Sequence, residues 1–102
     1  MADAYVALLL IHLHFPEAGS LKAKRKDLAS VKAQLHGRMG CTVAEVGHQD
    51  LWQRATLAAA LTGGSPSQLE HSVDRVEGFL LGRFPETCRM ERTVLSFAEV
   101  SD

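Results

Sequence analysis

The feature that most constrains the fold is an apolar run near the start of the chain. Residues 5 to 15 read YVALLLIHLHF, are rich in branched and aromatic side chains, and end immediately before Pro16. Strict alternation of apolar and polar residues is missing over most of this run, so the pattern predicts a strand that is covered on both faces. A central position in a sheet follows from that prediction.

A helix and two more strands follow. Ser20 is a favoured helix N-cap, and Gly37 and Gly40 are favoured terminators, so we expect a helix from Ser20 to about Met39. Residues 41 to 46, CTVAEV, and residues 54 to 62, RATLAAALT, have the composition of strands. The stretch between them, GHQDLWQ, carries more polar side chains than a plain hairpin turn requires, which makes it a candidate site.

A second helix and a last strand complete the chain. Ser65 is followed by Pro66 at the first helical position and by Gln68 three residues on, which together form a capping box. Residues 84 to 86, FPE, end this helix, and we expect the last strand over residues 88 to 100.

The predicted order of elements, βαββαβ, is that of the split βαβ, ferredoxin-like sandwich. We therefore expect an α+β fold, with an antiparallel sheet of strand order 4-1-3-2 and two helices on one face. Residues 1 to 102 form a single ferredoxin-like domain, because a chain of this length builds one core. The topology places the connections at residues 16 to 20, 47 to 53 and 84 to 87 at one end of the sheet.

Composition and charge narrow the class of protein. Hydrophobic residues make up 46% and charged residues 23% of the chain, which is typical of a globular protein. The longest apolar run, residues 4 to 11, is too short to cross a bilayer and has no signal-peptide pattern, so we expect a cytoplasmic protein without a membrane partner. The net charge is -1, but residues 20 to 40 hold six basic residues against Asp27 alone, which predicts a local basic patch.

Cysteine usage argues against a disulfide framework. Cys41 and Cys88 are the two cysteines and form no CxxC pattern. The predicted topology places them on opposite edge strands, too far apart to bridge. We expect two buried free thiols.

Two motifs resemble those of a known family. The first helix opens with SLKAKR, residues 20 to 25, and CTVAEVGHQDLWQRATL follows at residues 41 to 57. In these motifs the chain resembles the YlxP-like family of small bacterial proteins of uncharacterised function. The resemblance implies a ferredoxin-like fold. The family's genes often lie near those for NusA, initiation factor two and ribosome-binding factor A, which implies a role in translation or ribosome maturation without assigning an activity.

The start of the first helix concentrates positive charge where the helix dipole is already positive. Each of Lys22, Lys24 and Arg25 is disfavoured there by roughly 0.3 to 1 kcal/mol, an arrangement that favours a bound phosphate or carboxylate. Lys24 and Arg25 flank the apolar stripe of the helix and lean towards the hairpin. The candidate residues for binding an anion, RNA or a partner are Ser20, Lys22, Lys24, Arg25, His48, Gln49, Asp50, Trp52, Gln53 and Arg54.

The basic residues also have a purely structural explanation. In that alternative Lys24 or Arg25 pairs internally with Asp50 or Glu45 and pins the hairpin. An anion at the remaining donors is compatible with such a pair.

Trp52 has two explanations as well. In the first, its side chain stacks on a base or anchors a partner protein. In the second, which we favour, the side chain folds back and closes the open end of the core. In the second, Gln49, Gln53 and Arg54 support an irregular loop by hydrogen bonds.

Metal binding and catalysis find little support. His12 and His14 share a face of the first strand and His48 lies near the same end, but no carboxylate or cysteine pattern completes a metal site. No nucleophile is accompanied by a base and an orienting acid. We therefore predict no metal, no cofactor, no catalytic residue and no enzymatic activity.

The face of the sheet opposite the helices is predicted to be apolar. If the odd-numbered residues of the first strand face the helices, three large side chains face outward; with the opposite phase the other set faces outward and is no less apolar. Leaving three such side chains exposed to water forfeits about 1.5 to 3 kcal/mol apiece. The same face of a second subunit is the simplest cover, so we expect a homodimer. The candidate oligomer residues are Val6, Leu8, Leu10, Thr56, Ala58 and Ala60.

Three functional hypotheses remain. The first is an accessory factor that binds RNA, such as ribosomal RNA, or a translation-associated partner at the basic end. The second is a protein-binding or self-assembling module without nucleic-acid affinity, and the third is a domain that binds a small anionic metabolite. An RNA-recognition motif would carry aromatic residues on the third strand, and the third strand here, RATLAAALT, has none. We therefore do not expect the sheet face to bind RNA bases.

Overall fold

The computed structural model describes residues 3 to 101. Four strands form one antiparallel sheet in the order β2-β3-β1-β4. This is the predicted order 4-1-3-2 counted from the other edge, and the α+β, ferredoxin-like fold is confirmed. The elements are β1, Tyr5–His14; α1, Leu21–Gly37; β2, Thr42–Gly47; β3, Arg54–Gly63; α2, Pro66–Arg83; β4, Cys88–Ser96; and α3, Phe97–Ser101.

β1 is the central strand, and its two faces have different surroundings. Its odd-numbered residues face the core beneath α1 and α2, where Ala7, Leu9 and Ile11 are completely buried and Tyr5, at the strand end, is partly buried. Leu8 and Leu10 point the other way and are 51% and 38% exposed. The predicted central position is therefore correct, but one face of the strand is left uncovered within the chain.

Both long helices begin at the predicted caps. The Ser20 hydroxyl accepts a hydrogen bond from the Ala23 backbone N–H at 3.1 Å, and the Ser65 hydroxyl accepts one from Gln68 at 3.3 Å. These bonds satisfy backbone donors that a helix start leaves unpaired. α1 ends at Gly37, two residues before the predicted end, and Gly40 follows with a φ of 72°, in the left-handed region.

The end of the chain differs from the prediction. β4 stops at Ser96, and residues 97 to 101 form the short helix α3. The Ser96 backbone N–H donates to the Glu99 carboxylate at 3.1 Å, and the Glu99 N–H donates to the Ser96 hydroxyl at 3.2 Å. This reciprocal capping box starts a helix, which is why the last strand does not reach residue 100.

The two cysteines are free. Cys41 is buried beside β2, whereas Cys88, at the start of β4 on the opposite edge, is only half-buried. Burial raises the pKa of both thiols, and the negative charge of Glu77 raises that of Cys88 further.

Candidate functional site

The three connections predicted to meet at one end of the sheet do meet, and hydrogen bonds join them. The His14 N–H donates to the Thr87 carbonyl at 3.0 Å, and the Phe15 N–H donates to the Gln53 carbonyl at 2.8 Å. The Gln53 side-chain amide reaches the carbonyls of Pro16 and Ala18 at 3.4 and 3.5 Å. Folding therefore brings the start of α1 and the hairpin together at this end.

Lys24 is the main link between them. Its side chain is 1% exposed, and its ammonium group donates to the carbonyls of His48 at 2.7 Å, Arg54 at 2.9 Å and Leu51. An ammonium group has three N–H donors, so all three are used within the hairpin. Lys24 was a candidate for binding an anion, but it lies inside the domain and has no donor left for one.

Glu45 supplies the counter-charge. One of its carboxylate oxygens lies 3.8 Å from the Lys24 nitrogen, and that oxygen is buried without a hydrogen-bond partner. Of the internal pairs considered above, the structure therefore contains Lys24 with Glu45. Asp50 is exposed and forms no ion pair within residues 3 to 101.

The other cations of the helix start remain in solvent. Lys22, Arg25 and Lys26 are exposed in the first two turns of α1. Ser20 is committed to capping the helix. Lys22 and Arg25 are therefore the candidate residues of this helix whose charges are available to a ligand.

The hairpin between β2 and β3 presents an apolar tip. Trp52 is 50% exposed, Leu51 is exposed to a similar degree, and neither belongs to the buried core. The core-closing position that we favoured for Trp52 is therefore not the one in the structure. Gln49 and Gln53 do support the loop, because Gln49 donates to the Glu45 carbonyl at 3.4 Å and Gln53 bonds to the loop before α1.

A cleft opens on the uncovered face of the sheet, at the same end. It has a volume of about 510 Å³. We call it the basic cleft, because its walls carry His12, His14, His48, Arg54 and Arg89. His14 lies directly opposite Arg54 on β3, and His12 lies directly opposite Arg89 on β4.

His12 is held by its neighbours inside the basic cleft. One ring nitrogen lies 2.7 Å from the Glu91 carboxylate, and the other lies 3.4 Å from the Thr56 hydroxyl. The hydrogen bond from His12 lowers the pKa of Glu91, and the charge of Arg89, 3.6 Å away, adds to this effect. Among the residues that the structure describes, no three His, Cys, Asp or Glu side chains are arranged to hold a metal.

Sequence patterns had indicated the histidines but not their partners. Arg89 was not a candidate, although alternation along β4 puts it on the same face as Glu91. Arg54 was a binding candidate, but it was assigned to the hairpin and not to a cleft shared with the histidines of β1. The signal that would have found both is the register of the sheet, which the alternation of buried residues along paired strands helps to specify.

The apolar candidates lie further along the same open face. Leu8 and Leu10 are flanked by the half-buried Ala58 and Ala60. Thr56 was expected on this surface but is buried under His12. Val6 joins Phe97 and Val100 of α3 around a second, mainly apolar cavity of about 190 Å³ at the far end. In the described part of the chain no helix is both long and apolar enough to span a membrane.

Comparison with known proteins agrees with this fold. The "Uncharacterized protein YlxP" of Bacillus subtilis (strain 168) is 36% identical over 78 residues, which is 76% of this chain and 80% of that protein. The designed protein Foldit4 superposes with a TM-score of 0.58 at 10% identity, over 90% of this chain and 96% of its own.

A mutant of SnoaB, a cofactor-independent oxygenase from Streptomyces nogalater, superposes with a TM-score of 0.50 at 12% identity, over 89% of this chain and 90% of its own. At such low identity these structures support the fold alone. The family model described as "Protein of unknown function (DUF503)" matches residues 6 to 93. The chain therefore belongs to the DUF503 family, to which the YlxP-like resemblance of its motifs had pointed.

Proposed function

We propose that the protein is a non-enzymatic, cytoplasmic accessory factor that binds ribosomal RNA at the hairpin end of the sheet. The observation that carries this proposal is the role of Lys24. By bonding three carbonyls of the hairpin from inside, it fixes the cationic start of α1 next to the exposed Trp52.

The exposed groups at this end suit a single-stranded nucleic acid. Lys22, Arg25 and Lys26 offer charges for the phosphate backbone, and the positive end of the helix dipole adds to their field. Trp52 offers a ring on which a base can stack. The gene neighbourhood implied by the family resemblance makes ribosomal RNA the first target to test.

Titration with ribosomal RNA fragments tests the proposal, with the fluorescence of the single tryptophan as the readout. We expect stacking to quench that fluorescence. We also expect the affinity to fall as salt rises. The logarithm of the binding constant should fall linearly with the logarithm of the salt concentration, with a slope of roughly 0.7 for each phosphate contact to a single strand.

The variant Lys22→Ala/Arg25→Ala should bind more weakly and have a smaller salt slope. The matched control, Lys32→Ala/Arg38→Ala, removes two positive charges from the later turns and end of the same helix and should bind like the parent protein. The RNA proposal would be wrong if the two variants bound the RNA fragments with the same affinity as each other, or if the parent protein did not bind them at all.

The open face supports a second proposal, self-association. Leu8 and Leu10 are large apolar side chains that remain exposed on the open face of β1, and such patches usually have a cover. A second copy supplies one by symmetry, since identical faces pack against each other in a homodimer.

Sedimentation of the purified protein distinguishes the outcomes. We expect a dimer at micromolar concentration, and we expect Leu8→Lys/Leu10→Lys to be monomeric. Leu81→Lys alters an equally exposed leucine on α2 and should leave the dimer intact. A monomeric parent protein would rule the dimer out.

A further inference from the structure

We propose that the basic cleft is a binding site for a phosphate group, distinct from the surface formed by α1 and Trp52. The proposal does not depend on RNA binding there. It rests on the sheet register, on the backbone of the two bordering loops and on the charges in the cleft.

The register places basic side chains directly opposite one another. His14 faces Arg54 across β1 and β3, and His12 faces Arg89 across β1 and β4. Glu91 accompanies the second pair, because its carboxylate lies 2.7 Å from His12 and 3.6 Å from Arg89, and opposite charges are the favourable neighbours across strands. His14 and Arg54 have no such carboxylate partner within residues 3 to 101, and an anion held beside them would supply one.

The backbone bordering the cleft is unusual as well. His48 has a φ of 61° and Glu86 a φ of 68°, and these are the non-glycine residues with positive φ in the described part of the chain. Both line the basic cleft, although they belong to different loops. Residues held in sparsely populated backbone conformations gather at binding sites, where the surrounding structure compensates for the strain.

The ion pairs around the cleft leave some of its basic side chains without a carboxylate partner. Glu91 is occupied by His12 and Arg89. Arg54, His14 and His48 take part in no ion pair within residues 3 to 101. Glu86 lines the cleft as well but forms no ion pair within residues 3 to 101, and Arg89 shares the Glu91 carboxylate, so Arg54 is the arginine whose charge is left without a carboxylate partner.

A phosphate group fits this set of side chains. Guanidinium groups donate paired hydrogen bonds to phosphate oxygens, and imidazole N–H groups donate further ones. The lining contains no phenylalanine, tyrosine or tryptophan on which a base could stack. The cleft therefore recognises the phosphate itself, carried either by a small phosphorylated metabolite or by the end of an RNA chain.

Calorimetry and thermal denaturation with inorganic phosphate, ribose 5-phosphate and unphosphorylated ribose test the proposal. We expect the first two to bind and to raise the melting temperature, and ribose to do neither. Arg54→Gln/Arg89→Gln should weaken phosphate binding by about tenfold or more, as expected for lost charge-assisted hydrogen bonds. Arg38→Gln/Arg75→Gln, which removes two exposed arginines elsewhere, should bind phosphate like the parent protein.

The single variant Arg54→Lys covers the case in which the double variant does not fold. It keeps the charge but loses the planar fork, so we expect a smaller loss of affinity. The proposal is overturned if the parent protein ignores both phosphate compounds at millimolar concentration, or if Arg54→Lys and the double variant, where folded, bind phosphate as the parent does.

Two oligoribonucleotides that differ only in a 5′-phosphate identify the source of the phosphate group. Tighter binding of the phosphorylated one, lost in Arg54→Gln/Arg89→Gln, assigns the cleft to an RNA end. Equal binding of both, with ribose 5-phosphate still bound, assigns it to a small metabolite. Lys22→Ala/Arg25→Ala should leave ribose 5-phosphate binding unchanged, which separates failure here from failure of the RNA proposal.

Discussion

The Lys24 ammonium group lies 2.7 Å from the backbone oxygen of His48, to which it donates a hydrogen bond. This contact joins the first turns of α1 to the hairpin across 24 residues of sequence. Because the same group also bonds the carbonyls of Leu51 and Arg54, a single side chain holds both ends of the hairpin loop.

Removing this ammonium group should destabilise the whole domain. Lys24→Met leaves three carbonyls without a donor and the Glu45 carboxylate without its counter-charge, and losing one partner of a buried pair costs about 3 to 5 kcal/mol. Chemical denaturation measures the loss. Lys22→Met changes an exposed lysine of the same helix and should differ from the parent by less than about 0.5 kcal/mol. Similar stability of the two variants would contradict the structural role of Lys24.

Arg92 should stabilise the packing of β4 against α2. Its guanidinium group contacts the carboxylates of Glu70 at 3.3 Å, Asp74 at 3.0 Å and Glu77 at 3.1 Å, and these contacts raise the pKa of Arg92. Arg92→Gln should lower the free energy of unfolding by about 1 to 2 kcal/mol, because three negative charges then repel one another.

High salt should reduce that difference, since these carboxylates are partly exposed and their repulsion is screened. Arg75→Gln removes an exposed arginine from α2 itself and is the matched control. A difference between Arg92→Gln and the parent protein that does not change with salt would argue against an electrostatic origin.

Glu91 should contribute to the pH dependence of stability. Its pKa is lowered by the hydrogen bond from His12, so its contribution is complete above the pKa of the unfolded state and is lost as pH falls through the lower folded pKa. Glu91→Gln should therefore have a lower free energy of unfolding than the parent protein at mildly acidic pH. This difference in the free energy of unfolding should disappear in stronger acid. Urea unfolding across that range measures it, and a constant gap would refute the assignment.

The two thiols should react at different rates. Cys41 is 1% exposed, and we expect it to be alkylated only when the protein unfolds. Cys88 is half-buried at the wall of the basic cleft and should react in the native state, though more slowly than a free cysteine because its pKa is raised. Mass spectrometry after timed alkylation gives both rates. Faster labelling of Cys41 than of Cys88 would contradict the predicted order.

Local patterns were enough to predict the fold. The N-caps at Ser20 and Ser65, and the apolar run of β1, located the elements within a few residues. The exception is α3, for which the sequence did contain a signal: serine at 96 and glutamate at 99 have the spacing of a capping box. The strand composition of the preceding residues concealed it.

The candidate site was only partly predictable, because its decisive contacts are not local. Helical spacing showed that Lys24 leans towards the hairpin, but its burial depends on three carbonyls of a loop whose path no pattern specifies. The basic cleft depends on the sheet register, which pairs His12 with Arg89 and His14 with Arg54. Those pairs become visible only when β3 and β4 are aligned with β1.

The buried ammonium group also determines how the hairpin tip meets a ligand. A surface loop normally loses conformational entropy when a partner binds to it, and that loss weakens association. Here Lys24 has already restrained the backbone between His48 and Arg54 during folding. The backbone that carries Trp52 is therefore preorganised. If a ligand binds at Trp52, the hairpin backbone loses little further conformational entropy.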